Sequence, residues 1–558
     1  MSITDQISEE VSTNGLSRRR FIQGAAATAA GAAVVGLAAC SSDEAATDVT
    51  EAASTGPTLL RVATGKQEHV AAPWETSGGS LFILAMVGEW LCWQKPDGSL
   101  EPRVAESWTS TEDAKEWTFK IREGVMFNDG TPLTADDVVY TYTAIFDEAI
   151  HTGVSRSKGN YDNILEPAGV IKVDANNVKF SLLQPVANFP YFVSSASYGM
   201  CIIKNGAFGG AGWEDTMTAA GPWKMVSHVN TESTVYEKNP YYWDTEFNPG
   251  FDNVEFVQFV SAATALPLLM TGELDYIAAL EASDALSLDS SKFDIATTKM
   301  GAGGLHAHMR SNFGPFQDKR VREAAALTID RVGYIDGILQ GLGGVIANDS
   351  VMDAYPSADT SVPQRAQDLE KAKALMAEAG VPNGFKVDLS SWARDDINKY
   401  ANLIKTSFAE IGIEVNLVID GSDGGSAVYY TYDPYPSMPG NVNQFDNNSW
   451  LASNLGITEW SGRGVPDTYL MREFRSTGDW SGAMLDSREM DAAVDSYLQA
   501  LSPEAKKSAS KAIQEACLAE TPYLIVATAV NVTASRNTVT GLAINGMLQI
   551  DCSKVKNV

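Results

Sequence analysis

The sequence predicts an α/β protein with mixed sheets, and three observations carry the prediction. Phe385–Leu389, Asp396–Ile411 and Ile413–Val418 read as strand, helix and strand, an order that implies parallel pairing. Glu116 to Arg122 alternates polar and apolar side chains, the period of a half-buried strand. The chain has 558 residues, enough for three or four domains at about 150 residues each.

The elements follow in order. Leu59 to Ala63 opens as a short strand, and Gly78 to Trp93 carries Leu81, Leu84, Ala85, Gly88 and Leu91 at helical spacing. Lys95-Pro96-Asp97-Gly98 is a turn. Trp117, Phe119 and Ile121 point into a core, and Glu123-Gly124 and Asn128-Asp129-Gly130 turn the chain beyond them. Thr134 with Asp137 three residues on resembles a capping box for a helix that buries Val138, Val139, Tyr142 and Ile145. Strands recur at Asn177–Leu182, Gly221–Val226, Ser233–Glu237, Val254–Phe259 and Leu274–Ile277. Helices are expected at Ala262–Met270, across Asp318–Leu339 as one helix or a pair, and at Ala366–Ala379 before Gly380 and Pro382. Two more fall at Ser487–Leu501 and Pro503–Ala519, and short strands at Tyr523–Ala527 and Val530–Ala534 close the chain. Asp420 to Asn448 reads as an irregular loop rich in Gly, Ser, Tyr, Pro and Asn.

Composition excludes several classes. Lys plus Arg is 41 against 70 Asp plus Glu, a net charge of −29, which repels nucleic-acid phosphates and anionic lipid alike. No run of 18 apolar residues exists, so no ordinary spanning helix is expected. Five cysteines without a CxxC spacing give neither a disulfide scaffold nor a zinc site. No P-loop, GxSxG elbow or HExxH helix appears, no cofactor is implied, and the reading is a non-enzyme. A fixed-period repeat, the mark of an adhesive surface protein, is absent too.

The first forty residues read as an address. Ser17-Arg18-Arg19-Arg20-Phe21-Ile22-Gln23 resembles a twin-arginine export motif carried by Arg18 and Arg19, followed by an Ala/Gly-rich run and Leu37-Ala38-Ala39-Cys40. The last four residues resemble a lipobox, in which the thiol of Cys40 receives the lipid. Residues 1–39 are then a signal peptide and 40–57 a flexible tether, with the body on the outer face of the cytoplasmic membrane. Twin-arginine export carries folded proteins, so Cys92, Cys201, Cys517 and Cys552 read as buried thiols, with a Cys517–Cys552 bridge left open.

Several blocks, in this order, resemble the extracellular solute-binding proteins of ABC importers, the family of oligopeptide-, dipeptide- and nickel-binding proteins. They are Glu101-Pro102-Arg103-Val104-Ala105-Glu106-Ser107-Trp108, then Trp117 through Val138, Gly221-Pro222-Trp223-Lys224, Asn239-Pro240-Tyr241-Tyr242-Trp243, Thr271-Gly272-Glu273-Leu274-Asp275 and Pro315 through Ala324. The resemblance covers most of 58–558. It implies a two-lobed trap of three discontinuous domains: domain I from 58–100, 219–303 and 520–558, domain II from 101–218, and a second lobe from 304–519. It also implies a monomer that takes a peptide or small molecule in the cleft and delivers it to a permease with ATPase subunits, making and breaking no bond.

The resemblance also singles out residues. In the family a strand leaving the second lobe ends in a Trp at the cleft, here Trp460, and in peptide binders an Asp three residues later receives the α-ammonium. This chain has Arg463 there. A guanidinium suits a carboxylate or phosphate, so either the ligand is anionic here, or Asp467 takes a cationic end, or the ligand is not a peptide. Glu89 lies where the first-lobe helix nears the cleft, and Tyr429 and Tyr432 offer amphipathic contact surface from the irregular loop. His306 and His308, two apart on a strand, share a face, but two histidines alone do not make a metal site.

Overall fold

The computed structural model describes residues 58–65, 80–147, 158–197, 200–207, 217–229, 231–259, 261–299, 301, 303–342, 345–420, 451 and 453–558. Arg18, Arg19, Cys40, Tyr429, Tyr432 and the 40–57 tether lie outside them.

Two mixed sheets organise the chain. The first has seven strands in the order Phe293–Lys299, Val530–Arg536, Tyr276–Leu280, Leu59–Thr64, Asn253–Gln258, Ser233–Lys238 and Trp223–Val229. Its centre is parallel, with Leu60 opposite Val254 and Val62 opposite Tyr276, and its flanks are antiparallel. The second has five strands in the order Glu414–Asp420, Lys386–Trp392, Leu455–Trp460, Gly304–Met309 and Tyr523–Leu524. Lys386–Trp392 and Glu414–Asp420 run parallel, joined by the helix Asp395–Ala409, as the βαβ order requires.

Residues 101–218 form a four-stranded antiparallel sheet, Ala105–Ser110, Glu116–Ile121, Asn177–Ser181 and Val170–Lys172. Trp117, Phe119 and Ile121 are buried from it, and the Phe119 ring meets Phe180 edge-on at 5.6 Å. Burying each such side chain contributes about 1.5–3 kcal/mol. The helix Ala135–Ala144 starts as expected, with the Thr134 N–H donating to Asp137 Oδ2 at 2.7 Å. Asp318–Leu339 is a helix pair, Lys319–Leu327 and Arg331–Leu339.

Strands at Ala105–Ser110, Val170–Lys172 and Phe293–Lys299 are not among those expected, and two further differences bear on how the lobes connect. The helix expected over Gly78–Trp93 spans Ser80–Val87, and Cys92–Gln94 is a strand. The chain leaves the helix where Gly88 and Gly221 meet backbone to backbone, with the Gly221 N–H donating to Val87 O at 2.9 Å. The second difference is the return of the C-terminal segment. Tyr523–Leu524 pairs with Ala307 and His308 in the second sheet, and Ala527–Thr528 pairs with Val345–Ile346. The first sheet is rejoined only at Val530–Arg536, beyond the expected position 520.

The chain therefore crosses between the sheets after Lys299 and after Thr528. The Ala529 N–H donates to Gly303 O at 2.7 Å, tying the two crossings together. Cys92, Cys201, Cys517 and Cys552 are all buried free thiols, so Cys517 and Cys552 form no bridge. Among the described residues no helix is long and apolar enough to cross a membrane.

Candidate functional site

The strand Leu455–Trp460 leaves the second sheet at Trp460, and a loop carries the chain through Arg463 to the short helix Asp467–Tyr469 and a π-turn at Leu470–Phe474. The loop lies directly against the first lobe. A Cβ on Gly464 would stand 2.6 Å from both the Ala196 Cβ and Gln94 Nε2, so glycine is what lets the loop approach these two side chains. Gln94 Nε2 donates to Gly464 O at 3.4 Å.

Between the lobes the walls leave a cavity of about 10 Å³, room for about one water. Asn160, Tyr191 and Ser197 line it from the first lobe, and Arg463, Val465 and Thr468 from the second. Asn160 Oδ1 is buried there without a hydrogen-bond partner. A larger open depression of about 830 Å³ lies on the second sheet around Lys386, Asp388, Glu414 and Asn416. Its residues all come from that sheet and the segments beside it, among them Pro315, Ser453 and Asn454.

The predicted residues divide into two groups. Trp460, Arg463 and Asp467 come together at the interlobe loop. Trp460 is buried, packed by Tyr469 at 5.0 Å, Trp480 at 5.1 Å and His306 at 6.4 Å between centroids, and its Nε1 has no hydrogen-bond partner. Arg463 donates from Nη1 to Ser461 O at 3.2 Å and Gly462 O at 2.8 Å, and its own carbonyl accepts from Tyr355 OH at 3.0 Å. The loop is thus braced by its own guanidinium at the cavity wall. Asp467 is wholly buried. Its Oδ2 accepts from Asn188 Nδ2 at 2.8 Å, while Oδ1 has no hydrogen-bond partner. Burial pushes its carboxyl up, opposed by the Asn188 hydrogen bond and the Lys506 charge.

Glu89 stands apart, inside the first lobe. It accepts from Tyr242 OH at 2.9 Å and Trp243 Nε1 at 3.2 Å. Burial pushes its carboxyl up and the Arg103 charge opposes that. The histidines have separate partners: His306 Nδ1 lies 2.9 Å from Glu473 Oε2, and His308 Nε2 lies 3.3 Å from Ser453 O. Burial pulls His308 down to about 4, so its ring is neutral at neutral pH. Among the described residues no cluster of three metal-ligating side chains exists.

Sequence reasoning missed Asn188, Gln94 and Lys506, which add to the interlobe contacts. Asn188 had one local signal, its place before Phe189-Pro190 as the cap of the helix Phe189–Phe192, and that signal says nothing of a partner.

A two-sheet body with two crossings and a loop closing against the opposite lobe is the geometry of a solute trap. The sequence profile of the bacterial extracellular solute-binding proteins, family 5, matches residues 99–482. The chain belongs to that family. It is similar to heme-binding protein A of Haemophilus influenzae, 26% identical over 469 residues, covering 78% of this chain and 80% of the relative. It is also similar to the dipeptide-binding protein of Escherichia coli, 27% identical over 351 residues, 57% of this chain and 63% of that one. Among solved structures, HbpA2 of Haemophilus parasuis superposes with a TM-score of 0.73 at 21% identity, over 90% of this chain and all of that one. Family 5 proteins bind peptides or small molecules and work with ABC permeases, and this chain is such an importer's solute-binding protein. The relatives are binding proteins, not enzymes.

Proposed function

We propose that the mature chain, anchored through a lipid on Cys40 after twin-arginine export, captures short peptides between its lobes and presents them to its permease. Trp460, Tyr429 and Tyr432 would supply apolar wall and Arg463 the anchor for the peptide's carboxylate end. Glu89 would shape the first-lobe wall through Tyr242 and Trp243, and Asp467 would act through the loop that carries it.

The observation that carries this reading is Arg463 in the wall of the cavity between the lobes, where a planar fork of donors suits a carboxylate. Relatives named as dipeptide- and di/tripeptide-binding proteins support the ligand class. The same Arg463 favours one second reading, a non-peptide solute with an anionic group or a metal chelate, and relatives named for heme and nickel give that reading its precedent.

Mass spectrometry of the membrane-extracted chain tests the proposal. A ladder of peptide masses released on denaturation is expected, on a chain that begins at an acylated Cys40. Arg463→Ala should weaken capture of those peptides about tenfold or more, the loss of one charge-assisted contact. A single non-peptide mass would move the assignment to the second reading, and an unmodified Cys40 would remove the anchor.

A further inference from the structure

Beside the Gln94–Gly464 contact, the first lobe reaches the second through the segment Gln184–Asn188. Gln184 lies opposite Arg475, whose Nη1 donates to its Oε1 at 3.4 Å. The Ala187 N–H donates to Leu498 O at 2.7 Å, joining main chain to main chain at the end of the helix Arg488–Gln499. Asn188 then shares its amide among groups of the second lobe: Nδ2 donates to Asp467 Oδ2 at 2.8 Å, Oδ1 accepts from Lys506 Nζ, and the side chain also hydrogen-bonds the Tyr497 hydroxyl. Asn188 is 4% exposed and Asp467 0%, so both are dry while the lobes touch.

We propose that Asn188 is a latch that holds the lobes together through groups of this chain alone, whatever solute lies between them. A primary amide is a neutral side chain with a donor and an acceptor on the same rigid plane, so it can serve a carboxylate and an ammonium at once. Parting the lobes exposes all three groups to water, and only their contacts across the cleft are lost, since Asn188 belongs to one lobe and its partners to the other. Asp467 Oδ1 has no hydrogen-bond partner, so the node is satisfied on one oxygen only. The latch is therefore modest, as a reversible joint must be, because a fully satisfied buried network would hold too firmly. Its consequence is that part of the free energy of closure comes from outside the ligand pocket. A solute need supply only the remainder. The inference does not depend on the ligand being a peptide.

Hydrogen exchange read at single residues in the full chain tests this without labels. The Ala187 amide is bonded across the lobes, so its protection follows the ratio of closed to open molecules. Co-purified solute is removed by unfolding in guanidinium and refolding. Ala187 should remain protected in that protein. Asn188→Ala should lower its protection about tenfold, the value of one bridging contact to charged groups. Asn188→Asp, which sets a second carboxylate against Asp467, should lower it further. Amides of Glu116–Ile121, inside the same domain, should keep their protection in both variants.

Equal protection of Ala187 in all three proteins would overturn the latch. So would loss of that protection on stripping solute from the unmutated chain, because closure would then depend on the ligand. Loss spread evenly over Glu116–Ile121 would also overturn it, by making Asn188 a support of its own domain.

Discussion

Glu89 and Asp467 are both carboxylates buried from water, and burial pushes both up, yet they are held in different ways. Glu89 takes hydrogen bonds from Tyr242 and Trp243 and sits beside the Arg103 charge, all in the first lobe. Arg103 is itself anchored to Glu101 at 2.7 Å. Asp467 takes a hydrogen bond from Asn188 of the opposite lobe and leaves its second oxygen without one. Burial alone does not tell a permanent anchor from a joint. The number of partners, and the lobe they come from, does.

The sharpest test of that contrast is stability. Glu89→Ala strands Tyr242, Trp243 and part of the Arg103 charge inside the first lobe, and breaking a buried network of this kind costs about 3–5 kcal/mol. Asp467→Asn removes a charge that the closed interface holds at a desolvation cost, so denaturant unfolding should move by about 1 kcal/mol or less. Equal losses in the two variants would break the comparison.

Two close-packed glycines carry the same contrast to the backbone. A Cβ at Gly221 would stand 2.5 Å from Val87 O and also meet Gly88 O, all within the first lobe. Gly221→Ala should lower stability by about 1–3 kcal/mol, the cost of overpacking. At Gly464 the obstacle is Ala196 and Gln94 of the other lobe, and the lobes can part to relieve it. Gly464→Ala should leave the melting temperature nearly unchanged while speeding exchange at the Ala187 amide. A matching fall in melting temperature would show that the interlobe contact is part of the fold's own stability.

Much of the fold was legible because it is local. Trp117, Phe119 and Ile121 alternate, Thr134 and Asp137 are three apart, and the βαβ unit shows its own order, so each pattern completes itself within about a turn or a strand. The return of the chain was not legible, because Tyr523–Leu524 and Val530–Arg536 look alike in sequence and only pairing decides which sheet each joins. The site was half legible. The strand end at Trp460 and the charge at Arg463 were visible, but Trp460 packs on Tyr469 and Trp480, which hydropathy cannot distinguish from a ligand face. Asn188 lies 279 residues from Asp467 and 318 from Lys506, and no local pattern links positions so far apart.

The smallest expected effect is on pH, and its sign follows from Asp467. In the closed form burial raises its carboxyl above the ordinary value of 3.8, and in the open form water restores that value. A carboxyl with a higher pKa when closed binds its proton more tightly there, so protonation favours closure. Below 3.8 both forms are protonated and the penalty vanishes. Above the raised pKa both are ionised and the penalty is full. Closure should therefore weaken as pH rises through the window between the two values, then stay level. Lys506 titrates in a window of its own: burial lowers it from 10.5, opposed by the Asp467 charge. Tyr191 and Tyr497, the other titrating groups near Asp467, are both held above their ordinary value by burial and stay neutral throughout the acidic range. Protection of the Ala187 amide, corrected for the intrinsic exchange rate, should thus fall as pH rises above the ordinary carboxyl value in the unmutated chain. It should stay flat in Asp467→Asn, which has no proton to lose there. A slope that survives the substitution would assign the titration to another group and leave Asp467 a passive acceptor of the Asn188 hydrogen bond.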